Sequence, residues 1–394
     1  MGTASNEAAL GITSDSSGNI YVTGYTHGAL DGNTYAGSTD LILVKYNSSG
    51  EKQWTRQFGT SSGDVGRGVT TDSAGNIYVT GDTGGGLDGN ANAGITDIFV
   101  VKYNSAGVRQ WTRQFGTSSG DVAHSITSDS AGNVYVTGYT SGDLDGTNAG
   151  SEDIFVAKYN SAGVRQWTKQ LGTSGYDRGN AITSDSSGNI YVTGYTHGDL
   201  DGNTNTGTSD IFITKYNTSG TKQWTRQLGT SGSEMGHGAT CDSSGNVYVT
   251  GNTSAGLDEN TSAGMGDIFI TKYNTLGTKQ WTQQIGTSTI DIGYGIASDS
   301  SNNVFVTGYT LGGLDGNTNR GGFDYFVIKY NSSGNKQWTK QKGSFGSDIG
   351  YSITTDLNGN IFVAGDTLGD LDGNTNAGSN DLFVVKYDSD GNKK

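Results

Sequence analysis

The feature that most constrains this chain is a repeat. The stretch SGNIYVTG begins at Ser17, and related stretches carry a Gly-Asn pair (Asn-Asn in one copy) starting at Gly18, Gly75, Gly132, Gly188, Gly245, Asn302 and Gly359. Successive separations are 57, 57, 56, 57, 57 and 57 residues. Seven copies of that length suit a ring of four-stranded sheets, one per copy. No segment shows a 3.6-residue apolar period, which argues against stacked helical pairs. The expected fold is all-β: a seven-bladed β-propeller with four-stranded antiparallel blades, forming one domain over residues 1–394. Repeats are expected at approximately 1–57, 58–114, 115–170, 171–227, 228–284, 285–341 and 342–394.

One unit, residues 59–115, reads directly into strands. GRGVTTD predicts a short strand A from about Arg67 to Asp72, NIYVTGD strand B, DIFVVKYN (97–104) strand C and RQWTRQF (109–115) strand D. Strand A is poor in bulky side chains, as expected where seven strands converge on an axis. Strands B and C are apolar on both faces, which suits sheets stacked on each side. Strand D alternates Trp111 with Gln110 and Thr112, the pattern of an outer edge with one anchoring aromatic. DSAGN and YNSAG read as tight Asx/Gly turns. Asn302, standing where other copies have Gly, points to a positive φ there. The longer B–C loop (about 82–96) and D–A link (about 116–121) then share one rim, where function is expected.

Closure of the ring is irregular. Trp54, Trp111, Trp167, Trp224, Trp281 and Trp338 supply only six D strands. Lys394 reads as the counterpart of Lys52, and Met1 as that of Phe58. Blade 7 is therefore expected to lack its outer strand, with no N-terminal strand pairing into it. Either the natural chain continues or this edge meets a neighbour, self-association included.

Composition excludes several classes. A formal net charge of −14 offers nothing to neutralise a run of phosphates, so nucleic acid is not an expected partner. No apolar run is long enough for membrane insertion, and MGTASNEAAL has no signal-peptide pattern. Cys241 is alone, so no intrachain disulfide framework exists; it reads as a small buried residue of strand A. His27, His124, His197 and His237 read as scattered among repeat positions, apart from the loop position shared by His27 and His197. No zinc spacing and no Gly-x-Ser-x-Gly elbow is present.

Acidic residues form recurring columns. Asp15, Asp72, Asp129, Asp185, Asp242, Asp299 and Asp356 open the A–B turn, as Asx turns require. The Lys45 and Lys158 column ends strand C on the same rim, where a structural Lys–Asp contact is expected. Glu7, Asp64, Asp121, Asp177, Glu234, Asp291 and Asp348 precede strand A and could ring the channel mouth, focusing cations. Alternatively, each accepts backbone N–H bonds from its own loop. In the B–C loop, Asp88, Asn90, Asn92 and Asp97 place oxygens at alternate positions; Asp199, Asp201, Asn203 and Asp210, and Asp372, Asn374 and Asp381, do the same. Such a set suits a hard cation, making Ca²⁺ a candidate ligand. Plain Asx/Gly turns are the competing reading, since the copies drift: LDGTNAGSED is one residue shorter and LDENTSAGMGD replaces the Gly. Asp31, Asp40 and their equivalents lie in the same loop, Asp40 entering strand C, where it can bond backbone N–H groups.

DVGRGVTTDSAGNIYVTGDT followed by DIFVVKYNSAGVRQWTRQFG resembles the SBBP-type β-propeller repeat of many bacterial proteins. The resemblance implies a seven-bladed propeller in a secreted or cell-surface protein, and no particular chemistry. YNSSGEKQW is also similar to the docking motif of quinoprotein propellers. In the B–C loop the family usually has a Phe-Pro pair, whereas this chain has LDGN and no proline. Near-identical loops repeated seven times suit multivalent binding or scaffolding better than catalysis. The expected role is a non-catalytic binding or structural module, with a glycan or protein ligand on the long-loop face. The alternative is a hydrolase or lyase working at the channel mouth.

Overall fold

The computed structural model describes residues 1–394. Its strands form seven antiparallel sheets in which spatial order follows chain order, six of four strands and one of three. Blade 2 is representative: strand A is Asp64–Thr71, B is Ile77–Thr83, C is Asp97–Tyr103 and D is Arg109–Phe115. Strand A starts earlier than its apolar pattern suggests, because Asp64 already pairs with Thr83.

Alternation along strands B and C builds the core between blades. Ile77, Val79, Phe99 and Val101 pack with Leu41 and Leu43 of blade 1. Tyr78, Ile98 and Val100 point the other way, onto Ala123 and Phe155 of blade 3. The core is thus a circle of inter-blade layers in which no blade can bury its faces alone. Gly81 shows how tightly strand B meets strand A, since a Cβ there would overlap the Val65 carbonyl. On the other side of that contact strand A bulges, and Arg67 falls outside the pairing between Gly66 and Gly68.

The tight turns follow the Asx reading. Asp72 Oδ1 accepts from the backbone N–H groups of Ala74 (3.0 Å) and Asn76 (2.9 Å), and Oδ2 accepts from Asn76 Nδ2 and the Tyr78 hydroxyl. Gly75 has φ 77° and Asn302 φ 61°, the left-handed conformation that the Gly-to-Asn exchange implied. The lysine column departs from expectation. Lys158 Nζ donates to the Thr218 carbonyl of the next blade at 3.0 Å while lying over the Tyr135 ring. Only Lys272 comes within 4.0 Å of its turn aspartate, Asp242, at 3.6 Å. All seven lysines tie one blade to the next, and only Lys272 is also paired within its own blade.

Blade 7 holds three strands, Asp348–Thr355, Ile361–Thr367 and Asp381–Tyr387. The ring closes on blade 1 through Glu7 N to Asn380 O (2.9 Å) and Lys386 Nζ to Ser48 O (2.9 Å). No N-terminal strand pairs into blade 7, as expected; Met1 alone exchanges two bonds with Leu382 of strand C, at 2.8 and 3.1 Å, in the place where Phe58 pairs with Leu41. One expectation needs correction here. Lys393, not Lys394, is the counterpart of Lys52: it bridges to Tyr387 and its ammonium meets Asp372 at 2.7 Å. No helix is long and apolar enough to cross a membrane.

Candidate functional site

The long-loop rim and the axial channel are built by different residues of the same strands. On the rim, the carboxylates that open each strand A are fully buried and accept bonds from their own loops. Asp64 Oδ2 takes the backbone N–H (2.6 Å) and hydroxyl (2.9 Å) of Thr60, and Oδ1 takes the Thr83 hydroxyl. The same pattern holds Asp121, Asp177, Asp291 and Asp348, with glutamate versions at Glu7 and Glu234. They therefore do not line an open mouth. Burial, opposed by these bonds, raises the carboxyls of Asp64, Asp177 and Asp291 above the usual range, with neighbouring Asp40, Asp153 and Asp267 adding to the shift.

That neighbour is the strand-entry aspartate of the preceding blade. A Cβ on Gly59 would overlap Asp40 Oδ1 and lie 3.1 Å from Asp64 Oδ2, so the two carboxylates face each other across the glycine. Gly116 stands between Asp97 and Asp121, and Gly2 between Asp381 and Glu7, in the same way. Asp40 Oδ2 accepts from Ala36 N and Gln57 Nε2, but Oδ1 is buried without a partner. Asp97, Asp153, Asp267 and Asp381 share that orphaned Oδ1.

The alternating oxygens of the B–C loop do not converge, and no group of three or more His, Cys, Asp or Glu side chains is placed to hold a metal. Asp88 is left-handed (φ 57°) and salt-bridged to Arg109 at 2.8 Å; Asp201 is held by Lys222 and Asp372 by Lys393. Asn90, Asn203 and Asn374 turn their amide nitrogens onto the carbonyls of Leu87, Leu200 and Leu371. Asp199 Oδ1 accepts from Asn205 N at 2.8 Å. Asp210 Oδ2 accepts from Thr206 N and Gln227 Nε2. Each of these residues is engaged within its own blade, by the loop that carries it or by the segment that follows strand C.

The channel is lined by the bulged residue of every strand A: Leu10, Arg67, His124, Asn180, His237, Tyr294 and Tyr351, around a cavity of about 200 Å³. His124 and His237 thus share one repeat position, which corrects the reading of the histidines as scattered. Sequence reasoning missed this column, yet a signal was present: it is the position three residues after each rim carboxylate, where seven otherwise similar repeats all but disagree. A bulge re-aims its side chain out of the ladder, which is how unlike groups come to face one axis.

The groups are coupled. His124 Nδ1 lies 3.1 Å from Asn180 Oδ1, and Asn180 Nδ2 donates to the Gly236 carbonyl at 2.8 Å. His237 Nε2 lies 2.8 Å from Asn252 Oδ1, and the His237, Tyr294 and Tyr351 rings adjoin at centroid distances of 5.1 and 5.5 Å. Arg67 pairs with Asp82, and Arg178 with Glu152. Burial, reinforced by Arg67 and Arg178, pushes His124 down to about 3; burial alone pushes His237 down to about 4 despite its Asn252 bond. Asp366, buried with only Asn380 Nδ2 on its Oδ2, is pushed up to about 6 by burial. Burial also raises the Cys241 thiol, Asp185 adding to it, so it is no reactive thiolate.

Comparisons with known proteins agree with the architecture. A Regulatory protein FlaEY of Caulobacter vibrioides is 26% identical over 372 residues, covering 80% of this chain and 38% of its own length. An uncharacterized WD repeat-containing protein of Acanthamoeba polyphaga mimivirus is 24% identical over 436 residues, covering 84% of this chain and 31% of that protein. The chain therefore spans about a third of the length of the curated relatives it matches. Among solved structures, the Neurospora crassa Pan2 WD40 domain superposes with TM-score 0.52 at 11% identity, covering 90% of this chain and 85% of that one. A PL25 ulvan lyase superposes with TM-score 0.54 at 13% identity, covering 99% and 96%. At those identities the likeness shows the fold alone. The SBBP β-propeller repeat family matches residues 10–30, 53–88, 110–145, 166–201, 223–258, 280–315 and 337–372, and the chain belongs to that family.

Proposed function

We propose that the chain is a non-catalytic binding scaffold whose long-loop face takes a protein partner or a polar ligand such as a glycan. The observation that carries this reading is a set of exposed apolar side chains on that face. Phe345, in the D–A link before blade 7, is 97% exposed where five other copies have serine. It lies beside the B–C loop of blade 7, where Leu368 is half exposed, and Met265 on the same rim is 72% exposed. Exposed apolar side chains set among polar loops are the usual core and rim of a docking surface. The test is retention of proteins and of arrayed glycans by the wild-type chain and by Phe345→Ser at matched stability. Selective loss in the variant supports the reading; identical retention defeats it.

Divalent cations belong to the same proposal as loop-ordering ions. The support is the set of five buried, partnerless Oδ1 atoms, of which those of Asp40, Asp97 and Asp381 face a second carboxylate across a glycine, an oxygen environment that suits Ca²⁺. Melting temperature should rise with millimolar calcium and fall again with chelator. No shift leaves hydrogen-bonded turns as the only role of these residues.

A second reading is favoured by the axial column, since catalytic sites gather unlike groups at one place. A hydrolase or lyase using His237 and Tyr294 at the channel would be exposed by turnover of a polysaccharide panel that His237→Asn and Tyr294→Phe abolish. The lyase neighbour makes acidic polysaccharides the first to try.

A further inference from the structure

Asp366 is a buried carboxylate to which the ring supplies no cation, and two comparable carboxylates show what it lacks. Asp82 holds the same position of strand B in blade 2, is 9% exposed, and takes the Arg67 guanidinium from the bulge of its own strand A. Glu152, in the B–C loop of blade 3 and also 9% exposed, takes the guanidinium of Arg178. That arginine comes from strand A of blade 4 and lies over the Tyr139 ring at 4.4 Å. Asp366 is 5% exposed; its Oδ1 has no partner, and its Oδ2 accepts only from Asn380 Nδ2 at 2.6 Å. Both positions that supply a cation elsewhere hold other residues here. Tyr351 stands where Arg67 does, and Ala8 where Arg178 does.

The surroundings of Asp366 are aromatic. Burial first, and the Asp366 charge second, raises the hydroxyls of Tyr25 and Tyr351, neither of which bonds the carboxylate. Tyr294 adjoins Tyr351 at a centroid distance of 5.5 Å and Tyr309 at 5.8 Å, and Phe323 lies 4.3 Å from Tyr309. All five rings keep part of their surface open. Ring faces beside a carboxylate draw a cation by their quadrupole as well as by its charge. A buried carboxylate without a counter-ion costs stability that an incoming cation restores. The site opens on the long-loop face: Leu368 follows Asp366 by two residues, and Phe345 adjoins it next to Gly346.

We propose that Asp366 and the tyrosines around it accept one arginine side chain of a protein partner docked on the long-loop face, with Tyr25 and Tyr351 turning aside to admit it. This rests on the scaffold reading above and names the group by which the partner is recognised. Arginine suits the site better than lysine, because both carboxylates already satisfied in this ring take a guanidinium, one of them stacked on a tyrosine. A net charge of −14 favours a basic partner surface.

The test titrates the whole chain with the blocked peptide acetyl-Gly-Arg-Gly-amide, read by the ring resonances of labelled tyrosines. Those of Tyr25 and Tyr351 should shift and saturate with a dissociation constant of about 1–10 mM, as expected for a single side chain. The neutral citrulline peptide should not bind, and the lysine peptide should bind at least about three-fold more weakly. Asp366→Asn should weaken arginine binding at least about ten-fold. Its melting curve, run alongside, shows that the loss does not come from unfolding. Equal binding by Asp366→Asn, equal binding of the citrulline peptide, or no shift up to about 50 mM overturns the proposal. A lysine peptide that binds as tightly overturns the choice of arginine. Failure here leaves Phe345-dependent retention untouched, and a chain that retains no partner can still bind the peptide, so the two readings fail separately.

Discussion

Strand A carries two columns three residues apart, and the seven blades treat them in opposite ways. At the first, every blade has a carboxylate, fully buried and bonded by its own loop. At the second, the bulged position, the blades present Leu, Arg, His, Asn, His, Tyr and Tyr to the axis. The repeated column does a job that each blade must do for itself: it satisfies the link that brings the chain from one blade to the next. The varied column faces open space shared by all blades, so no single blade's folding dictates its residue. Repetition therefore marks structure here, and variation marks the place where chemistry can differ.

Stability measurements can break that contrast. Asp121→Ala leaves the Thr117 N–H and the Thr117 and Thr140 hydroxyls without their acceptor and should cost about 3 kcal/mol in urea unfolding. Leu10→Ala, on the axis, should cost only about 0.5 kcal/mol. Similar losses would erase the distinction between the columns.

The pH response sharpens it next. His124 is held at about 3, well below a free histidine, so its contribution is present above pH 6.5 and is lost as pH falls toward 3. Wild type should lose about 2 kcal/mol from this group between pH 6.5 and 5, a loss that His124→Asn removes. Chemical denaturation at the two pH values would show the difference.

Asp366 has the opposite sign. Its carboxyl is raised to about 6, so its contribution is present below about pH 4 and lost as pH rises through 6. Asp366→Asn should therefore stabilise the chain by about 1–2 kcal/mol at pH 7.5, with little gain at pH 4. Tyr25, Tyr351 and Asp348 are the titratable neighbours whose charge this tests.

A modest effect is expected on the turn rim. Lys158→Met removes one charged bond to a carbonyl of the neighbouring blade while keeping the aliphatic stem, and should cost about 1 kcal/mol in thermal or urea unfolding. No change would show that the lysine column adds nothing to blade docking.

Much of the molecule was legible from its residues. The 57-residue period, the apolar faces of strands B and C, and the Asx and Gly chemistry of the turns predicted blade number, strand order and positive φ at Asn302. The partners of charged side chains were less legible. Lys158 and Asp129 share a rim in one blade, but the lysine reaches the neighbouring blade, a contact between residues 60 positions apart. Asp88 and Asn90 alternate like cation ligands, yet the left-handed turn at Asp88 sends its carboxylate to Arg109, and Asn90 bonds back to Leu87.

The sequence by itself determined the architecture, because local turn chemistry and strand alternation repeat in every copy and admit one way of burying both faces of each sheet. Tertiary structure alone decided which residues face which. The bulge turns Arg67, His124 and Tyr294 toward a common axis, and blade packing sets Asp40 against Asp64. These juxtapositions join residues of different repeats, and no periodicity within one repeat encodes the distance between them.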